Sequence, residues 1–144
     1  MSAKTYVGVP FVSMGRTMAG ADCWGLVRLI YAAELGIDLP SYGEIDAHAL
    51  MKVSREIDAG KDGEVWRAAE PGRLQAYDVC VMRHHGSHLV GHVGVLLPVR
   101  NGGSLGVLHV EEASAAVIVP LNHFSIRERV ACFRRHRMVP DAAV

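Results

Sequence analysis

Asp22-Cys23-Trp24-Gly25-Leu26-Val27-Arg28-Leu29-Ile30-Tyr31-Ala32-Ala33-Glu34-Leu35 is the stretch that decides how this chain reads. Cys23, Leu26, Val27 and Ile30 recur at helical spacing, which predicts a helix over residues 23–35. Trp24, Leu29, Tyr31 and Leu35 make the remaining face apolar as well, so the helix should be mostly buried. Asp22 is a good N-cap and Gly36 a good C-terminal stop. Cys23 then occupies the first turn. Free backbone N–H groups and the positive end of the helix dipole favour a thiolate there, and the thiolate is the reactive form of cysteine. The same N–H groups can hydrogen-bond an anion formed by attack on a carbonyl. Gly25 leaves room for something to come close to this end of the helix. The plain alternative is that Cys23 is a small core residue, since buried free cysteine is common.

Outward from the helix the pattern changes. Residues 4–20 hold Gly8, Pro10, Gly15 and Gly20 and read as an irregular lead-in with room for one helical turn. Residues 39–43 break the chain, residues 47–59 read as a second, more polar helix, and residues 64–67 as a short strand. Pro71-Gly72 is a turn. Strand-like segments follow at 78–83, 92–97, 106–110, 116–120 and 129–134, with short connections holding Gly, Pro or Asn, as in an antiparallel meander. Helices first and strands afterwards predict an α+β domain, N-terminal helices packed on a five- to six-stranded antiparallel sheet. The expected organisation is one domain over 1–144, its core about 4–136, with a frayed, flexible tail over 138–144.

The composition bounds the function. A length of 144 residues fits one domain with a core of its own, and 50% hydrophobic with 21% charged residues is a globular composition. Fifteen basic against fifteen acidic residues leave no broad field to attract nucleic acid or an anionic membrane. Three widely spaced cysteines, Cys23, Cys80 and Cys132, are not a disulfide framework. The first twenty residues lack the apolar run of a signal peptide, and no stretch approaches the roughly 20 apolar residues of a membrane span. Synthesis in a cytoplasm is expected, with some other route outward if the protein acts outside.

A reactive cysteine needs a base. Of eight histidines, five fall between residues 84 and 109. His92 opens a strand in His92-Val93-Gly94-Val95, and His109 lies in the next, Val107-Leu108-His109-Val110. Neighbouring antiparallel strands can set the two rings side by side, so that His109 fixes the tautomer of His92. Taken alone, His109 reads equally as a satisfied core histidine. Glu111 and Glu112 compete for that orienting role, but adjacent strand residues face opposite ways, so at most one can share the groove. His84, His85, His88 and His92 are close enough in sequence for a zinc site. They sit in a Gly-rich loop without a carboxylate or second cysteine at a usual interval, and a solvated groove rim is the preferred reading. Cys80 and Cys132 read as packing residues. Arg127, Arg129, Arg134, Arg135 and Arg137 form a basic stretch, either a solvated face or a docking face.

Asp-Cys-Trp-Gly-Leu-Val at 22–27, His-Val-Gly-Val at 92–95 and a histidine one strand later together resemble the NlpC/P60 papain-like cysteine peptidase superfamily. Pro40-Ser41-Tyr42, Leu108-His109-Val110-Glu111-Glu112-Ala113 ahead of Val-Ile-Val-Pro-Leu, and Ala131-Cys132-Phe133-Arg134 are similar to its branch in tailed phages, prophages and gene transfer agents. The likeness runs from about Tyr6 to Arg135. It implies a papain-like fold with Cys23 as nucleophile, His92 as general base and His109 as orienting residue. It further implies hydrolysis of an amide in a peptidoglycan stem peptide, usually between D-glutamate and a diamino acid, through a thioester. Tail tip or hub proteins are the implied partners, a virion acting at the host cell wall the implied setting, and no cofactor or metal is expected. Asp22, Trp24, Phe11 and Tyr6 are the expected oxyanion- and substrate-lining residues. Two departures stand out: Phe11 occupies the place of a family tyrosine twelve residues before the cysteine, and the nearby paired glycines are reduced to Met14-Gly15. Tyr6 and Tyr42 are the nearby hydroxyls that could compensate. Two competing readings are a tail-tip structural component with little catalysis, and the same thiol chemistry turned to acyl transfer or to an N-acetylmuramoyl amidase.

Overall fold

The fold is taken from a computed structural model, which describes residues 3–39, 65–84, 86, 90–100 and 103–142. The expected helix over 47–59 and Tyr42 lie outside these residues. A 3-10 turn (Ala3–Thr5) opens the chain, and a two-residue ribbon of β1 (Arg16–Thr17) and β2 (Gly20–Ala21) leads into helix α1 (Cys23–Ile30). The last turn of the expected helix is wound as a π-turn (Tyr31–Leu35), stopped by Gly36 in the left-handed conformation at φ 66°. Six strands follow: β3 (Trp66–Ala68), β4 (Val79–Arg83), β5 (Val90–Pro98), β6 (Leu105–His109), β7 (Val117–Pro120) and β8 (Val130–His136).

All six belong to one antiparallel sheet in the order β3-β8-β4-β5-β6-β7. The expected meander therefore holds from β4 to β7, but β8 returns across the sheet and pairs with the free side of β4. Period-2 alternation explains why both faces are covered. Val79, Val81, Val93, Val95, Leu97 and Leu108 join Trp24, Leu26, Val27 and Ile30 of α1 in one apolar cluster. Cys80, Met82, Leu96, Val107 and Phe133 form a second cluster closed by Ile126. Cys80 is thus a packing residue, as expected, its thiol pushed up to about 12 by burial.

The lead-in is stitched to two elements at once. Gly8 N–H donates to the Ala116 carbonyl (2.8 Å) and Ala116 N–H to that of Val9 (2.7 Å), while Ala21 N–H donates to the Pro10 carbonyl (3.0 Å). These bonds tie the approach to α1 to the segment before β7. Residues 139–142 are hydrogen-bonded back to the domain as well. Arg67 donates to the Val139 carbonyl (2.6 Å) and to Asp141 (2.8 Å), and Gln75 holds the Pro140 carbonyl (2.8 Å) and the Ala142 N–H (2.7 Å). Arg67 and Gln75 lie 65–74 residues earlier in the chain than these partners.

Arg135 secures β8 from the inside. Its guanidinium makes two bonds to Asp78, 2.7 and 2.8 Å, and Asp78 is wholly buried. Part of the basic stretch is therefore structural rather than a solvated face. Arg135→Met should lower stability by about 3–5 kcal/mol, because it strands a buried carboxylate. Denaturant unfolding should show much of that loss restored in Arg135→Met/Asp78→Asn.

Candidate active site

The site begins at the mouth of α1. Asp22 Oδ1 accepts from Gly25 N–H (2.7 Å) and from Arg16 Nη1 (2.7 Å), and Oδ2 accepts from Met14 N–H (3.1 Å). The cap therefore also fastens the preceding loop to the helix, and Arg16 balances its charge. Met14 sits in the left-handed region at φ 61°, a conformation suited to glycine. Gly25 does admit a close neighbour, but it is the backbone carbonyl of Gly15, which an added Cβ would strike. Tertiary packing at the helix entrance, rather than substrate access, accounts for this glycine.

Cys23 is 5% exposed, in the first turn of α1. Backbone N–H groups of Val93, Trp24 and Cys23 itself favour its thiolate, but burial outweighs them and pushes the thiol up to about 12. The nearby Asp22 carboxylate acts in the same direction as burial. The helix terminus thus does not by itself deliver the lowered pKa expected from the sequence, because removing the sulfur from water costs the anion more than the dipole returns.

Val93, whose amide faces that sulfur, follows His92 directly on β5. His92 Nε2 lies 2.8 Å from His109 Nδ1, with the two rings edge to face at 73°. Both histidines are buried. If His92 keeps its Nδ1 lone pair for a proton, its Nε2–H donates to His109, and that bond survives protonation of the ring. Burial, seconded by His109, brings the His92 imidazole down to about 3. Gly94 makes the pairing possible: a Cβ there would lie 3.1 Å from His109 Cβ, 3.0 Å from the Leu108 carbonyl oxygen and 2.6 Å from Val107 Cγ1.

Glu111 Oε1 lies 3.8 Å from His92 Nε2 and is held at 2.7 Å by Arg129 Nη2. Of the two candidate acids it is Glu111 that turns to the histidines, while Glu112 is exposed. The nitrogens of His92 and His109 and the Glu111 carboxylate fall within 4.8 Å of one another, compact enough for a cation. As arranged, the two nitrogens are hydrogen-bonded at 2.8 Å, closer than the roughly 3.3 Å of two ligands on one tetrahedral zinc ion. His84, from the group first weighed as a metal site, lays its half-exposed ring on the backbone of Gly91, next to His92. His85 and His88 lie outside the described residues.

The four expected lining residues divide. Phe11 is half-buried and bridges to Ala21, two residues before the cysteine. Trp24 is 0% exposed and packs in the core instead of facing a substrate. The Asp22 carboxylate is consumed by the cap and Arg16. The Tyr6 hydroxyl is bonded to Glu34 at 2.7 Å, at the opposite end of the helix from Cys23, and does not replace the family tyrosine at the site. Arg16 and Arg129 were not singled out for the site in the sequence, because neither belongs to a local motif.

These features define an α+β domain with a cysteine at a helix mouth and a histidine pair on the sheet packed against that helix. Residues 8–135 match the NlpC/P60 family, and the chain belongs to it. Among solved structures, an NlpC/P60 family protein from Bacillus cereus ATCC 10987 is similar, with a TM-score of 0.64 and 25% identity, over 92% of this chain and 37% of that one. The NlpC/p60 domain of the peptidoglycan hydrolase SagA gives 0.56 at 19% identity, over 92% and 90%. A protein described as similar to lipoprotein, NLP/P60 family, from Staphylococcus aureus subsp. aureus Mu50 gives 0.60 at 19%, over 91% and 37%. The latter two are likenesses of fold alone. The chain spans only 37% of the length of the Bacillus cereus protein. No curated protein matches it.

Two outcomes follow from the histidine pair. Gly94→Ala should part the rings and cost about 1–3 kcal/mol by overpacking, read from imidazole 15N shifts and from unfolding. Below pH 6.5 the unfolded chain takes up a proton that folded His92 refuses until about pH 3, so stability should fall as the pH drops through that window. His136, lowered the same way by burial, adds to the slope. Denaturant midpoints against pH should show a shallower decline in His92→Asn.

Proposed function

We propose that this protein is a cysteine endopeptidase of the cell wall, hydrolysing an amide bond in peptidoglycan stem peptides with Cys23 as nucleophile, His92 as general base and His109 as its orienting partner. The observation that carries the reading is the 2.8 Å contact between His92 Nε2 and His109 Nδ1 on strands packed against the helix that presents Cys23. Burial keeps thiol and imidazole neutral at rest, so the thiolate forms by transfer of the Sγ proton to His92 as substrate enters. Attack on the carbonyl gives a tetrahedral oxyanion near the backbone N–H groups of the α1 mouth. His92 then gives its proton to the leaving amine, and water resolves the thioester by the same route in reverse.

The substrate class rests on family membership, and the D-glutamyl–diamino acid bond on the sequence likeness. The phage-tail setting, with tail tip or hub proteins as partners and local opening of the host wall as the task, rests on the Pro40-Ser41-Tyr42 and Leu108–Ala113 likenesses. No helix among the described residues is long and apolar enough to cross a membrane. A second reading, a tail-tip structural part without catalysis, is favoured by the near-complete burial of Cys23.

Purified peptidoglycan decides between them. Cys23→Ala and His92→Ala should each cut release of soluble muropeptides by about a thousandfold while the unfolding temperature stays within a few degrees. Mass spectrometry of the products should show a new amine on the diamino acid. Wild-type protein that releases nothing, or variants that match it, would remove the peptidase reading.

A further inference from the structure

Glu111 and Arg129 stand beside the histidine pair without belonging to it. Arg129 is a fixed point: Nε donates to the Arg83 carbonyl (2.8 Å) and Nη1 to that of Ser125 (3.3 Å), which leaves Nη2 for Glu111 Oε1 at 2.7 Å. A backbone-anchored cation thus sets the place of a carboxylate that is itself only 31% exposed. That carboxylate lies 3.8 Å from His92 Nε2, too far to take the hydrogen bond that goes to His109, and close enough to act on a charge placed on the ring. We propose that Glu111, clamped by Arg129, is a positioning residue that supplies the counter-charge to His92 when the imidazole accepts the proton of Cys23. The proposal rests on the assignment of Cys23 and His92 as nucleophile and base.

The proton balance is simple. The Sγ–H bond breaks and an N–H bond forms at His92 Nδ1, leaving a thiolate and an imidazolium. The Nε2–H stays in its bond to His109 Nδ1. The imidazolium charge is shared by both ring nitrogens, so part of it develops at Nε2, 3.8 Å from Glu111. Every other ionisable neighbour resolved around the ring works against it: His109 from β6, Arg129 from the segment before β8 and His84 from the end of β4 all disfavour the imidazolium, and Glu111 alone among them favours it. The two members of the clamp thus have opposite signs at His92. Removing Glu111 should make proton transfer harder, whereas removing Arg129 takes away an opposing charge and also releases the acid, so its net effect should be smaller. A purely structural tether between the β6 end and the β8 start would be weakened by either loss.

Alkylation of the folded full-length protein by iodoacetamide at pH 7, resolved by cysteine with mass spectrometry, reads the thiolate directly and needs no substrate. Cys80, wholly buried, reports unfolding in the same sample. Glu111→Gln should slow Cys23 alkylation by about tenfold, with Glu111→Asp in between, Arg129→Gln clearly less affected than Glu111→Gln, and Cys80 silent throughout. In muropeptide release, Glu111→Gln should lower kcat and leave KM nearly unchanged. An unchanged rate in Glu111→Gln overturns the proposal. So does equal slowing in both variants, whether Cys80 stays silent or becomes reactive, for that is a tether. His92→Ala is the control for the underlying assignment. If it does not slow Cys23, the base has been misassigned and the failure lies there. If it does and Glu111→Gln does not, only the role of Glu111 falls.

Discussion

The Asp22 carboxylate is the joint on which the site depends. One oxygen caps α1 through Gly25 and meets Arg16, and the other holds the Met14 amide in a left-handed turn. A helix start has four backbone donors without internal partners. Here one of them is satisfied by a side chain that also pins the loop crossing in front of the helix. Cys23 is presented at that mouth, with Gly15 seated against Gly25 where no larger residue fits. Without this joint the cysteine would still be on a helix, but the helix would not be docked at a fixed height on β5.

The sheet supplies the other half of the site by the same economy of space. Gly94 removes a side chain where the next strand must come close, and His109 uses the gap to reach His92. The result is a dry site. Burial drives the thiol and the imidazole in opposite directions, both toward the uncharged form. Neutral groups in a buried setting respond strongly to nearby fixed charges. Glu111 and Arg129 act in this way on His92, and Asp22 on Cys23.

Much of the site was legible in the sequence because its parts are local. An N-cap, a first-turn cysteine and a glycine are contiguous, and a histidine followed by Val-Gly-Val carries its own strand period. The fold class followed from the switch of periodicity after residue 78. Residues that act through distant partners were read less well. Tyr6 looked available near the cysteine in the chain, yet its hydroxyl is used by Glu34. Trp24 adjoins Cys23 and points into the core, since neighbouring positions on a helix are about 100° apart.

What the sequence determined by itself was the helix with its cap, the strand segments and the pairing of His92 with a histidine one strand on, all governed by spacing along a short run of chain. Tertiary structure decided the rest: that β8 returns to β4, that the tail is strapped by Arg67 and Gln75, that Glu111 rather than Glu112 turns to the histidines, and that the thiol is raised instead of lowered. Burial and charge neighbourhood are properties of what packs around a group. They come from residues tens of positions away, and no local pattern encodes them.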